Sequence, residues 1–306
     1  AIRPMTFLTV LLALFVERVL RQHRPQRQHR WFDSYCGQLM RTTFAQWLMT
    51  RPWGGVIALL PPLLLIAWLQ SFFAELGAPF ALVFGVVVLL NSLGPGDLGD
   101  EVERFIAARD GDRGEDPDLI AAELCLGEVP TAEPRRSLAV ARGVLILAAR
   151  RLIGPIFWFA VFGAVGAAAY RTILLLGERL QDGTCPPEMR HNSDQMQRIA
   201  DWAPARITAA GYAVAGNFDA VAHAWRTFEH TPDGPFDEAE QLLAHTGLAA
   251  LDTLPDDMAE FAEHRGESIE AGLMPPVVED ALALVWRNLA MWVTVIAGGS
   301  LIAALA

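Results

Sequence analysis

No lysine occurs anywhere in this chain of 306 residues; all 24 basic positions are arginine. That absence excludes a Walker A phosphate loop, which needs its lysine, and any lysine Schiff base or amine nucleophile. Cysteine is scarce: Cys36, Cys125 and Cys185 stand far apart, odd in number and without metal-ligand spacing. Neither Gly-x-Ser-x-Gly nor His-Glu-x-x-His occurs. His223 and His230 suit one helix face, but no third ligand lies near, so they read as surface residues. The stretch 110–116 resembles a calcium loop, yet its glycine is misplaced and Ala121 stands where the last acidic ligand belongs. No metal site is expected. Alternating strands and internal repeats are also missing. Charged residues make up 19%, against about 25% in a soluble domain. The formal net charge of -11 argues against nucleic acid as a partner.

What the chain has instead is apolar sequence, 53% of the total, gathered in runs over 5–20, 53–73, 79–93, 143–176 and 289–306. A bilayer span needs about 20 residues. The first run is short, and arginine-rich sequence follows it where a signal peptide would end in small residues, so it reads as a membrane helix with Met5 as its start. The second run carries no charge, has Trp53 and Trp68 toward its ends, and contains Pro61-Pro62, which should kink it. With the third run it predicts a helical hairpin turning over 75–78. The fourth run is interrupted by Arg150, Arg151 and Arg171, and Gly154-Pro155 should break it, giving one tilted span or a re-entrant pair. The last run is anchored by Trp286, Arg287 and Trp292.

These runs predict an all-α, polytopic membrane protein. It would have about four to five apolar helices in a single membrane-embedded domain over 1–306, with membrane lipids as its surroundings. The polar parts, 94–142 and 178–285, look folded and helical. Asp97 can cap a helix through Leu98, Val102, Phe105 and Ile106, with acids in its first turn. Met196, Ile199, Ala203 and Ile207, with Tyr212 and Val214 beyond, trace an apolar stripe that Pro204 would restart. Further amphipathic stretches run over 237–254 and 256–267. The acids gathered in 97–118 and 233–279 read as a solvated face in preference to a cation site. Arginines crowd 21–51, against one acid, and recur at Arg135, Arg136 and Arg142. Basic flanks mark the cytoplasmic side, so the polar parts are expected there.

Ionisable groups beside apolar runs are costly and often functional. Glu17 and Arg18 end the first run. Arg150, Arg151 and Arg171 interrupt the fourth. Snorkelling to the headgroups is the plain alternative for such arginines.

Four stretches together resemble the AmpE family of bacterial inner-membrane proteins: Met5 to Arg18; Gly94-Pro-Gly-Asp-Leu-Gly-Asp-Glu-Val-Glu-Arg-Phe105; Arg150-Arg-Leu-Ile-Gly-Pro-Ile-Phe-Trp-Phe159; and Asp201-Trp-Ala-Pro-Ala-Arg-Ile207. The resemblance implies a membrane sensor or signal transducer linked to the AmpD amidase and to induction of β-lactamase. AmpE proteins are in turn similar to the CobD/CbiB cobinamide-phosphate synthases, which use ATP and magnesium. Ala108-Arg109, Pro155-Ile-Phe-Trp158, Tyr170-Arg171 and Pro204-Ala-Arg206 resemble elements of those enzymes. The departures are large. Where the synthases carry a Glu-Asn pair and an Asp, this chain has Ile146-Leu147 and Arg150; where they carry an Asn-Thr-x-Asp element, it has residues 174–177. Loss of these acids points away from catalysis and away from any cofactor. It also puts a cation where an anion stood, which favours an anionic ligand.

The resulting expectation is a sensor with a polar pocket at the membrane face. Its ligand would be anionic, derived from the cell wall or linked to lipid. The residues implied for the site are Glu17, Arg18, Asp97, Glu101, Arg109, Arg150, Arg151, Tyr170, Arg171 and Arg206. Two other readings stand beside it. One is a CobD/CbiB-like ligase, which alone would need magnesium and ATP. The other is a small-molecule transporter.

Overall fold

The computed structural model describes residues 6–20, 30–41, 47, 51, 54–94, 97–111, 114–126, 129–131, 135–180, 187–229, 237–252 and 276–305. Among them there is helix but no strand. The stretch 256–267, with Cys185 and His230, lies outside the described residues. Among the described residues three helices are long and apolar enough to cross a membrane: Gly54–Leu76, Arg135–Phe162 and Val277–Ala303. Shorter apolar helices accompany them, so the chain is an all-α membrane protein.

The chain falls into two compact units. The first comprises Ala1–Pro95, Arg151–Pro204 and Val293–Ala306. It holds α1 (Thr6–Leu20), α2 (Arg30–Arg41), α3 (Gly54–Leu76) and α4 (Ala78–Ser92). It also holds α8 (Gly154–Phe162), α9 (Ala164–Leu180) and the first part of α10 (Pro187–Ala215). The second comprises Gly96–Arg150 and Ala205–Trp292. It holds α5 (Leu98–Arg109), α6 (Pro117–Leu124), α7 (Arg135–Ala148), α11 (Phe218–Thr227) and α12 (Glu238–Ala250), with the end of α10 and the start of α13 (Val277–Leu305).

In the first unit α3 and α4 form the expected hairpin. Gly77 makes the turn with φ 123, a backbone state that side chains resist. Pro61 and Pro62 lie inside the unbroken α3. Helix α9 packs on α3, α4 and α8, while α1 packs on α4 and α8. Phe32, Cys36, Ala58, Leu59, Leu175, Leu176, Leu180 and Met189 form a buried cluster joining α2, α3, α9 and α10. Much of the apolar surface of α3 stays outward, including Leu64, Leu65 and Trp68, as a lipid-facing helix requires.

The fourth apolar run differs from expectation. Gly154-Pro155 does not break the helix. A π-helical turn over Ala149–Ile153 widens the backbone there, and Gly154 and Pro155 open α8. Proline suits that first turn, where its missing N–H costs little. The interruption lies nine residues later. Gly163 ends α8 with φ 71, and α9 starts at Ala164. Pro204 likewise does not restart a helix: it sits inside continuous α10. The apolar stripe on that helix is not a core face throughout, because Ile199 is 69% exposed and Val214 68%.

The second unit follows the capping signals. Asp97 caps α5, its carboxylate accepting from Gly99 N at 2.8 Å and Asp100 N at 3.4 Å. Asp116 caps α6 through Asp118 N. Helix α7 packs on α6 and α12, and α11 packs on α12. Gly143 lets α7 approach closely, since a Cβ there would overlap the Leu124 carbonyl. Tyr212, fully buried, donates to the carbonyl of Leu145 at 2.9 Å.

Candidate functional site

The residues expected to form one pocket are divided between the units. Glu17, Arg18, Arg151, Tyr170 and Arg171 belong to the first; Asp97, Glu101, Arg109, Arg150 and Arg206 belong to the second.

In the first unit the opening of α8 sets the geometry. A Cβ at Gly154 would stand 2.5 Å from the Tyr170 ring and 2.6 Å from its hydroxyl, so glycine admits the phenol against the helix start. Tyr170 is 2% exposed and donates its hydroxyl to Asp201 at 2.6 Å; Asp201 is itself 4% exposed. Beside this bond, Trp158 donates its indole N–H to the Ala200 carbonyl at 3.1 Å and stacks on Phe162. A buried carboxylate held this way is a strong structural commitment. Asp201 and Trp158 were carried by the quoted motifs but not singled out. Spacing gave no sign that Asp201 lies under Tyr170, thirty-one positions earlier in the chain.

One residue further along α9, Arg171 is 5% exposed. It pairs with Glu178 at 3.8 Å, an acid 63% exposed at its side chain. The Arg171 Nε is buried with no hydrogen-bond partner among the described residues. Arg151 adds like charge nearby. The backbone of Arg151 accepts from Gly94 N at 3.0 Å, and its stem lies where a Cβ at Gly94 would be. Glu17 is half-buried and Arg18 exposed, both at the end of α1.

In the second unit the cations face the chain's own acids. Arg150 pairs with Asp237, at 3.4 Å, and with Glu240. Those two carboxylates also make the capping box of α12. Asp237 Oδ1 accepts from Glu240 N at 2.8 Å, and Glu240 Oε2 accepts from Asp237 N at 2.9 Å. Each acid thus spends one oxygen on the helix end and the other on Arg150. Arg206 pairs with Glu238 of the same turn at 2.7 Å. Arg109 forks between Asp110 and Glu279, each at 2.9 Å. Burial alone would lower its pKa, but these two carboxylates outweigh burial and raise it, fixing the charge. Glu101 sits half-buried in the first turn of α5, beyond Asp97.

No three His, Cys, Asp or Glu side chains converge as metal ligands among the described residues. The described part of 110–116 serves helix ends: Asp110 closes α5, Glu115 pairs with Arg104, and Asp116 caps α6.

A family model described as "Regulatory signalling modulator protein AmpE" matches residues 5–232. The chain belongs to the AmpE family. It is also similar to a protein named "Cobalamin biosynthesis protein CobD" from Stutzerimonas stutzeri (strain A1501), 25% identical over 96% of this chain and 97% of that one. No solved structure matches.

Proposed function

We propose that this AmpE-family chain is a sensor of the bacterial inner membrane. It would signal in peptidoglycan recycling and β-lactamase induction by recognising an anionic ligand at Arg171 and Arg151. A signalling role accords with the family. The observation that carries the ligand is Arg171: a residue 5% exposed, held by one exposed acid at 3.8 Å, with a buried Nε that has no hydrogen-bond partner among the described residues. A buried cation so weakly compensated gains most from a phosphate or carboxylate that forks onto it. Arg150 and Arg206 belong to the internal acids of α12 in this reading, and support the fold. The polar parts lie on the cytoplasmic side, following the arginines that flank the spans. A functional link to the AmpD amidase follows from the family context.

The experiment is binding of a soluble muropeptide and of a lipid phosphate to the protein in nanodiscs. Arg171→Gln and Arg151→Gln are compared with wild type. Loss of about tenfold or more in affinity is expected for Arg171→Gln, the worth of one charge-assisted hydrogen bond. Equal binding by all three proteins refutes the site.

The ligase reading keeps one observation in its favour: the similarity to the CobD protein runs along nearly the whole chain. Within it the acid to examine is Asp201, which is buried and already bonded to Tyr170. ATP turnover dependent on magnesium, an amine and a carboxylate acceptor, abolished by Asp201→Asn, is what this reading requires.

A further inference from the structure

Within the first unit a cleft of about 390 Å³ opens between α3, α8, α9 and α10. That volume suits a small ligand or part of a larger one. Its walls include Val56, Trp158, Phe162, Ile173, Met196 and Ile199. Gly166 smooths one wall, because a side chain there would strike the backbone of Trp158. Two polar groups reach the lining from this side, and both are engaged: the Trp158 N–H with Ala200 O and the Tyr170 hydroxyl with Asp201. They offer ring faces to an occupant and no donors. A polar molecule would be stripped of water here and given little in return.

The remaining polar lining residues are Asn192 and Gln195, at one end of the α10 face that continues to Ala200. Asn192 donates to the Arg51 carbonyl at 3.0 Å. Arg51 stands just before the membrane-crossing α3, and its guanidinium lies 4.9 Å over the Trp47 ring. An arginine on a tryptophan beside the start of a span is a headgroup-level arrangement, and its charge complements a lipid phosphate.

We propose that the cleft holds one acyl chain of an anionic membrane phospholipid, with the phosphate toward Arg51. Trp158, Phe162, Ile173 and Ile199 clasp the chain, and Asn192 fixes Arg51 at the mouth. This site is separate from the Arg171 ligand and does not rest on it.

The test uses full-length protein in nanodiscs and phosphatidylglycerol bearing a diazirine on one acyl chain. Cross-links are expected in 166–173 and 192–200. A phosphatidylcholine probe should label several-fold less, and Arg51→Gln should erase that preference. Filling the cleft with Ala169→Phe should cut labelling by about tenfold, the worth of roughly two methylenes of burial. Ile199→Trp, at an exposed position, makes the same test if Ala169→Phe does not fold. Labels concentrated on the outward Leu64, Leu65 and Trp68, or unchanged by filling, overturn the proposal. Equal labelling by the two probes overturns the phosphate assignment. Arg171→Gln should leave lipid labelling unaltered, so failure here and failure of the sensor site can be told apart.

Discussion

Replacing Arg150 with methionine keeps most of the stem and removes the charge. It leaves the carboxylates of Asp237 and Glu240, 13% and 12% exposed at their side chains, facing a low-dielectric interior without their cation. Breaking a buried ion pair from one side costs about 3–5 kcal/mol. Here the groups keep some solvent, and each acid retains its backbone bond in the α12 cap. We therefore expect about 2–3 kcal/mol of destabilisation. The triple variant Arg150→Met, Asp237→Asn, Glu240→Gln should recover about 1–2 kcal/mol, because the amides can still cap and no stranded charge remains. Unfolding by dodecyl sulfate in mixed micelles, followed by near-ultraviolet circular dichroism, measures both. A single variant within about 0.5 kcal/mol of wild type, the range of ordinary surface changes, would refute the assignment of Arg150 to the fold. So would a triple variant no better than the single.

Tyr170→Phe should cost about 1.5–3 kcal/mol by the same measurement, since it withdraws a donor from a buried carboxylate; coupling to Asp201→Asn in a double-mutant cycle identifies the bond as the cause. Burial pushes the Cys125 thiol up to about 11, with Arg142 opposing. In a background lacking Cys36 and Cys185, its alkylation at pH 8 should be on the order of a hundredfold slower than in the unfolded chain. Comparable rates in the two states would contradict its burial. The pKa of His245 is lowered by burial and by His223. The unfolded chain then binds more protons than the folded one below about pH 6.5, so this contribution is intact at neutral pH and lost on acidification. Melting temperature should fall between pH 7 and pH 5, and His245→Gln should flatten that slope.

Membrane class and helical architecture were legible because hydrocarbon demands long uncharged runs, and such runs stand out in any sequence. The cap at Asp97 was legible for a related reason: its carboxylate acts on amides within three residues of itself. The hairpin turn was expected where Gly77 makes it. The fourth run misled because Gly-Pro is a breaker inside a helix and a starter at its first turn, and only the preceding wide turn decides which applies. Gly163, an unremarkable glycine in an apolar stretch, makes the actual interruption. The site was legible as residue types but not as partnerships. Arg150 and Asp237 lie 87 positions apart, and nothing local joins them. The ten expected site residues fall five to each unit, and a sequence pattern records residue types rather than which of them touch.

The wide turn over Ala149–Ile153 has a genetic consequence. A π turn amounts to one residue more than an α-helix needs, and an added residue rotates everything after it by about 100°. Arg150 ends one unit and Arg151 begins the other. Loss of a single codon here would leave a smooth helix and a readable protein, yet would rotate the start of α8, Trp158 included, by that angle against the helical turns that precede it. An alignment would score that deletion as the mildest of changes. In this chain it would act more like a frameshift in three dimensions.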